Sequence, residues 1–167
     1  MLGDGVFVVY ADMVADLFHA GHVQFLSRAR AVGEEMAARR GAGSPVRLVV
    51  GVMGDGAAAA YKRRPVTTLA ERSVVVAACR YVDEVVPDAP MPVDAVFLDR
   101  IGADLVVHGD DLEPDELRRW YSVPMDDGRF ATVPYTWSVD TARLSTTDLV
   151  ERLRRSLDER GDYRAGA

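Results

Sequence analysis

Lysine is almost missing from this chain: Lys62 stands alone against 19 arginines. Where arginine has taken every other basic position, the surviving lysine marks a place that needs a compact, flexible ammonium and rejects a planar guanidinium. Cysteine is as scarce. Cys79 is the only one, which excludes an intrachain disulfide and suits a reducing compartment, so the expected location is cytoplasmic. Positive charge is in deficit, with 26 acidic against 20 basic residues and a net charge of −6. A broad nucleic-acid or acidic-membrane footprint is therefore not expected, and any anion site must be built locally. Long hydrophobic runs are missing too. The opening "MLGDGVFVVYADM" has no basic segment, and its apolar stretch is too short for a signal peptide or a membrane span. There is no repeat and no linker-like stretch. What remains is a globular composition, 49% hydrophobic and 28% charged over 167 residues, enough for one domain with a sizeable core. Its expected extent is 1–160, with a loose tail at 161–167.

Strand and helix signals alternate. "GVFVVYA" (5–11) reads as a strand buried on both faces. A helix follows from His22 to Arg39, with Phe25, Leu26, Ala29, Val32 and Met36 at helical spacing. Residues 46–53 form a second buried strand, and 55–65 a loop or frayed helix ended by Pro65. A capped helix covers 67–80, with Thr67 or Thr68 as cap and Glu71 near its third position. Then come a strand at 82–86, a turn "PDAPMP", a helix at 93–102 and a strand at 104–109. Past "DDLEPDELRRWY" the pattern weakens. A last strand is expected within 130–136, and a capped amphipathic helix at 145–159. This order predicts an α/β fold: a single-domain, doubly wound, Rossmann-like parallel sheet of five strands with helices on both faces. Ligands of such sheets bind beyond the carboxyl ends of the strands, where the strand order reverses.

The residues with chemistry follow strands. The chain has three histidines, and two of them, His19 and His22, flank Gly21 at the entry to the first helix. His108 ends a later strand and leads into Gly109, Asp110 and Asp111. Lys62 comes shortly after the second strand. Ser145, Thr146 and Thr147 open the last helix, whose N–H groups and dipole suit a phosphate. Gly21 lets a ligand approach the backbone closely. Each feature also has a plain reading. Two histidines three apart can hold zinc, although a metal site wants three or four ligands; they can be solvated; or they can be two cationic donors aimed at one ligand. "KRRP" is also a solvated loop, "STT" a helix cap and "HGDD" a turn. Their conjunction at one edge of the sheet favours a polyphosphate.

These residues carry a resemblance. "DLFHAGH" resembles the His-x-Gly-His signature of the nucleotidyltransferase superfamily. With "CRYVDEVVPDAP" (79–90), "VVHGDD" (106–111) and "LSTTDLVERL" (144–153), the chain resembles, from Val6 to Leu153, the cytidylyltransferases that activate phosphoethanolamine, phosphocholine or glycerol 3-phosphate. The resemblance implies transfer of CMP from CTP, accompanied by magnesium, to a small phosphate- or phosphonate-bearing acceptor. The acceptor oxygen would attack the α-phosphorus in line and release pyrophosphate, a step that asks for position and charge rather than a protein nucleophile. It implies catalytic roles for His19, His22 and Lys62, with Lys62 bridging the α-phosphate and the acceptor. Val14, Ala15, Asp16, Gly21, Arg80, Gly109, Asp111, Ser145 and Thr146 are implied as nucleotide contacts. No protein metal ligand is implied.

Two departures stand out. The family shows Gly-x-Phe-Asp before the histidines, where this chain has Met13-Val14-Ala15-Asp16. The arginine that precedes the Ser-Thr-Thr helix is replaced by Asp140, leaving Arg143 as the candidate triphosphate contact, and 136–143 reads as a lid or altered acceptor pocket. Tyr61, Trp120, Tyr121, Tyr135 and Trp137 are candidates for an aromatic cage around a quaternary ammonium. The resemblance further implies a homodimer with "RYVDEV" (80–85) as a contact region. The alternatives are an adenylyltransferase of the same superfamily and a non-catalytic nucleotide-binding regulatory domain.

Overall fold

In the computed structural model, which describes residues 5–40, 44–61, 63–134 and 145–160, the alternating pattern becomes β1 (Phe7–Met13), α1 (Ala20–Arg40), β2 (Val46–Met53), α2 (Asp55–Tyr61), α3 (Leu69–Ala77), β3 (Glu84–Ala89), α4 (Ala95–Ile101), β4 (Leu105–Gly109), α5 (Pro114–Asp126), β5 (Phe130–Val133) and α6 (Thr146–Arg160). The five strands form one sheet in the order β3-β2-β1-β4-β5, and every pairing is parallel. The chain is a single α/β domain. Lys62, Arg143, the 136–143 segment with Trp137, Tyr135 and the 161–167 tail lie outside the described residues.

The β1 side chains show why the sheet is covered on both sides. Phe7, Val9 and Ala11 point into one core with Phe25, Leu26 and Ala29 of α1 and Val76 of α3. Val8 and Tyr10 point into the other, with Phe97 and Leu98 of α4 and Tyr121 of α5. Strands hidden on both faces read as continuous apolar runs. Helix α1 lies close on β1: a Cβ at Gly33 would run into the branched side chain of Val9 and come within 3.2 Å of Val46.

The structure departs from the sequence reading at three places, and at residues 55–61 it decides between loop and helix. Helix α1 begins at Ala20, two residues early, because its cap is a histidine rather than Ser, Thr or Asp. Residues 55–61 form helix α2. Strand β3 starts at Glu84 and runs through Pro87 to Ala89, taking in half of the expected turn; a proline is tolerated because β3 is an edge strand. Helix α5 takes up most of "DDLEPDELRRWY", which the sequence reading assigned to no element, and runs five residues past it into the stretch where the pattern weakens. Pro114 opens it, Pro124 interrupts it, and Tyr121 breaks it with φ −127° and ψ 23°. A kinked helix with an internal proline has no single 3.6-residue stripe to read.

Strand order reverses around β1, with β2 and β3 on one side and β4 and β5 on the other. The crevice past the carboxyl ends of β1 and β4 is therefore the place to look for a site.

Candidate active site

A cleft of about 260 Å³ opens at that crevice. Val14, Ala15, Asp16, His19, His22, Gly109, Asp111, Ser145, Thr146 and Thr147 all line it, as does His108. Gly21 is buried beneath the histidines rather than in the lining, and its N–H donates to His19 Nδ1 at 3.0 Å. Arg80 is not brought in: it is exposed beyond α3, with its guanidinium 5.6 Å from the Tyr81 ring. A larger hollow of about 570 Å³ lies between α3 and α6, walled by Leu17, Phe18, Val75, Leu149 and Leu153. Thr67, Glu71, Arg72, Arg152 and Ser156 also line it, but neither histidine does, so the smaller cleft, where both histidines meet the strand ends, is the chemical one.

The spacing of the two histidines has a local cause. His19 precedes the first residue of α1, and its Nδ1 accepts from the second residue, Gly21. His22, the third, returns the favour: its Nδ1 accepts the His19 N–H at 3.2 Å. This is a capping box built from imidazoles, and it needs the two residues three apart. With both Nδ1 atoms accepting, each neutral ring carries its proton on Nε2. The rings lie 4.0 Å apart. Burial, then the neighbouring His19, pushes His22 down to about 3, against an opposing pull from Asp16. Burial also lowers His19, with Asp148 opposing. His22 is thus an uncharged donor at neutral pH, which refines the reading of two cationic donors. Among the described residues no three His, Cys, Asp or Glu side chains cluster as a metal would require.

The turn between β1 and α1 is strained. Ala15 and Leu17 have φ values of 60° and 47°, a left-handed backbone that side chains resist. Three ties hold it. Arg72 of α3, buried to 1% exposure, donates to Val14 O at 2.5 Å, Met53 O at 2.8 Å and Thr67 O at 3.2 Å, and pairs with Asp55 at 2.5 Å. Asp16 Oδ1 accepts from Val66 N, Thr67 N and Thr67 Oγ1 at 2.9–3.1 Å. Thr146 Oγ1 donates to Asp16 O at 2.9 Å. Burial alone would raise the Asp16 carboxyl, but the hydrogen bonds from Thr67 and Val66, with a smaller pull from Arg63, hold it below the usual range.

Helix α6 points its N-terminus at the same cleft, through another capping box. The Ser145 N–H and hydroxyl donate to the Asp148 carboxylate at 2.6 and 2.7 Å, and Asp148 N–H donates to Ser145 Oγ at 3.2 Å.

The sequence reading passed over Asp12, Arg63, Met91 and the site position of Tyr121, all of which line the cleft. Asp12 ends β1, and Tyr121 Oη donates to its Oδ1 at 2.6 Å. Its Oδ2 is buried and makes no hydrogen bond. Burial pushes this carboxyl up, while His108 and the Tyr121 bond pull it down. The His108 ring lies 4.9 Å from that of Tyr121. A carboxylate at the end of a buried strand was a visible signal; Tyr121 gave none, because its helix was not legible.

A family model described as cytidylyltransferase-like matches residues 10–152. The chain is 37% identical over 143 residues to an ethanolamine-phosphate cytidylyltransferase of Arabidopsis thaliana, covering 82% of this chain and 31% of that one. It is 35% identical to the Dictyostelium discoideum protein of the same name, covering 95% of this chain and 40% of that one. The chain thus spans between about a third and two fifths of the length of these relatives. In fold it is similar to a lipopolysaccharide core biosynthesis protein from Thermoplasma volcanium GSS1, with a TM-score of 0.58 at 19% identity over 80% of this chain and 98% of that one.

Proposed function

This chain belongs to the cytidylyltransferase-like family, and from that premise we propose that it transfers CMP from CTP to a small acceptor bearing a phosphate or phosphonate. The observation that carries the reading is the meeting, in one cleft, of the capped histidine pair, the N-terminus of α6 and the buried Asp12. The triphosphate lies between the histidines and Ser145 and Thr146. There the helix dipole and the imidazole Nε2–H groups meet the charge that builds on the departing pyrophosphate. Lys62 follows α2 directly in the chain and bridges the α-phosphate and the acceptor. An acceptor oxygen forms a bond to the α-phosphorus in line as the bond to the bridging oxygen breaks, and pyrophosphate leaves with that oxygen.

Asp12 supports an acceptor that carries an ammonium. A buried carboxylate with one oxygen lacking a hydrogen bond wants a charged donor, and both phosphoethanolamine and small aminoalkyl phosphonates supply one. Magnesium is expected to accompany CTP. Among the described residues the cleft carboxylates do not cluster into a cage, so an accompanying ion would be held chiefly by phosphate oxygens and water, where it would neutralise charge. The working state is a cytoplasmic homodimer. Among the described residues, no helix is long and apolar enough to cross a membrane.

Pyrophosphate release from CTP and magnesium, measured across phosphoethanolamine, phosphocholine, glycerol 3-phosphate and a set of phosphonates, tests the reading. Release with an amino-bearing acceptor, abolished by Asp12→Asn, is the expected result. Release with ATP and not with CTP would move the chain to the adenylyltransferases. CTP binding without release for any acceptor would favour the regulatory alternative.

A further inference from the structure

We propose that Arg63 is a triphosphate contact of this cleft, and that Asp16 is the carboxylate from which phosphate oxygens draw it. The inference rests on the triphosphate reading above but on neither the base nor the acceptor. Among the described residues lining the cleft, Arg63 alone bears a permanent positive charge; the other basic groups are imidazoles. His22 is uncharged near neutrality, so the histidines do not neutralise a triphosphate by themselves.

Placement is the second ground. Arg63 Nη2 lies 3.0 Å from Asp16 Oδ2, with side-chain exposures of 42% and 5%. Asp16 also accepts, through its backbone carbonyl, the hydroxyl of Thr146 at the start of α6. The guanidinium therefore stands one residue away from the helix N-terminus that the phosphates would occupy. The two Asp16 oxygens are unequal. Oδ1 takes three hydrogen bonds, from Val66 and Thr67, whereas Oδ2 makes none with good geometry and meets Arg63 as an ion pair. Asp16 stays anchored through Oδ1 when Arg63 turns away. A partly exposed ion pair is held weakly, and a phosphate offers the guanidinium a bidentate, more highly charged partner.

Calorimetric titration with inorganic tripolyphosphate and magnesium isolates this contact from cytidine and acceptor. Arg63→Gln should weaken binding at least tenfold, because a charge-assisted hydrogen bond to phosphate is lost, and Arg63→Lys should restore part of the loss. Arg39→Gln, an exposed arginine of α1 outside the cleft lining, should bind as the parent does, and all three variants should melt within a few degrees of it. Parent-like affinity in Arg63→Gln, or an equal loss in Arg39→Gln, would overturn the assignment and leave the triphosphate reading intact. A parent chain that bound neither tripolyphosphate nor CTP would overturn both.

Discussion

His22 gives up its charge to sit in the cleft, and the cost depends on pH. Its folded value of about 3 lies below the unfolded value of about 6.5. Between those two values the unfolded chain binds a proton that the native chain refuses, so stability falls as pH drops through this window. We expect the ligand-free melting temperature to decline from pH 6.5 towards 4, and His22→Gln to flatten that decline. Asp12, raised by burial, tilts the curve in the opposite sense within the acid range, so the informative quantity is the difference between parent and variant. A variant slope equal to that of the parent would show that His22 is not held neutral. Lys62 makes a second residue-scale prediction. If the lone lysine is retained for a compact, mobile ammonium, Lys62→Arg should lose at least tenfold in turnover while keeping its fold. An arginine variant as fast as the parent would leave the lysine without a special role.

Helices in this protein are positioned by their first turns. Three capping boxes, His19 with His22, Thr68 with Glu71 and Ser145 with Asp148, open α1, α3 and α6. The first and third deliver cleft residues, and the second sets α3 so that Arg72 reaches the ends of β1 and β2. Thr68 and Glu71 read directly as a box, since Thr and Glu are the usual pair. The histidine box does not, because imidazole is an uncommon cap and the same spacing equally suits a metal or an anion. Packing sets the other constraint at this scale. Gly33 lets α1 lie against Val9, so Gly33→Ala should destabilise by about 1–3 kcal/mol despite the better helix propensity of alanine. Chemical denaturation measures this directly, and a more stable alanine variant would mean that the helix shifts at no cost.

Across the whole molecule, apolar surface remains uncovered on the outer side of α3 and along α6. Val74 is 70% exposed, Val75 46% and Leu153 57%. Val74 and Val75 lie within a turn or two of "RYVDEV", the segment expected at a dimer contact. Light scattering should give twice the chain mass, and Val74→Asp should return the monomer. A parent that scatters as a monomer would reject the pairing.

Sequence alone determined the alternation of strand and helix, the doubly wound parallel sheet and the edge of that sheet where a ligand binds. Buried parallel strands must be apolar throughout, amphipathic helices must repeat every 3.6 residues, and strand ends must carry the polar groups. It also marked His19, His22, Ser145 and Thr146 by their spacing and their place at strand ends and helix starts, and Asp16 came only with the family resemblance. Only the tertiary structure decided the rest. Asp12, Tyr121 and Arg63 come from three segments separated by as many as 109 positions in the chain, and no periodicity connects them. Arg80 looked like a companion of the site and lies outside it, because a motif records that residues recur together, not that they face the same way. Whether a histidine is charged, whether a carboxylate keeps an oxygen without a hydrogen bond and which arginine enters the cleft all depend on desolvation and distance, which exist only once the chain has folded.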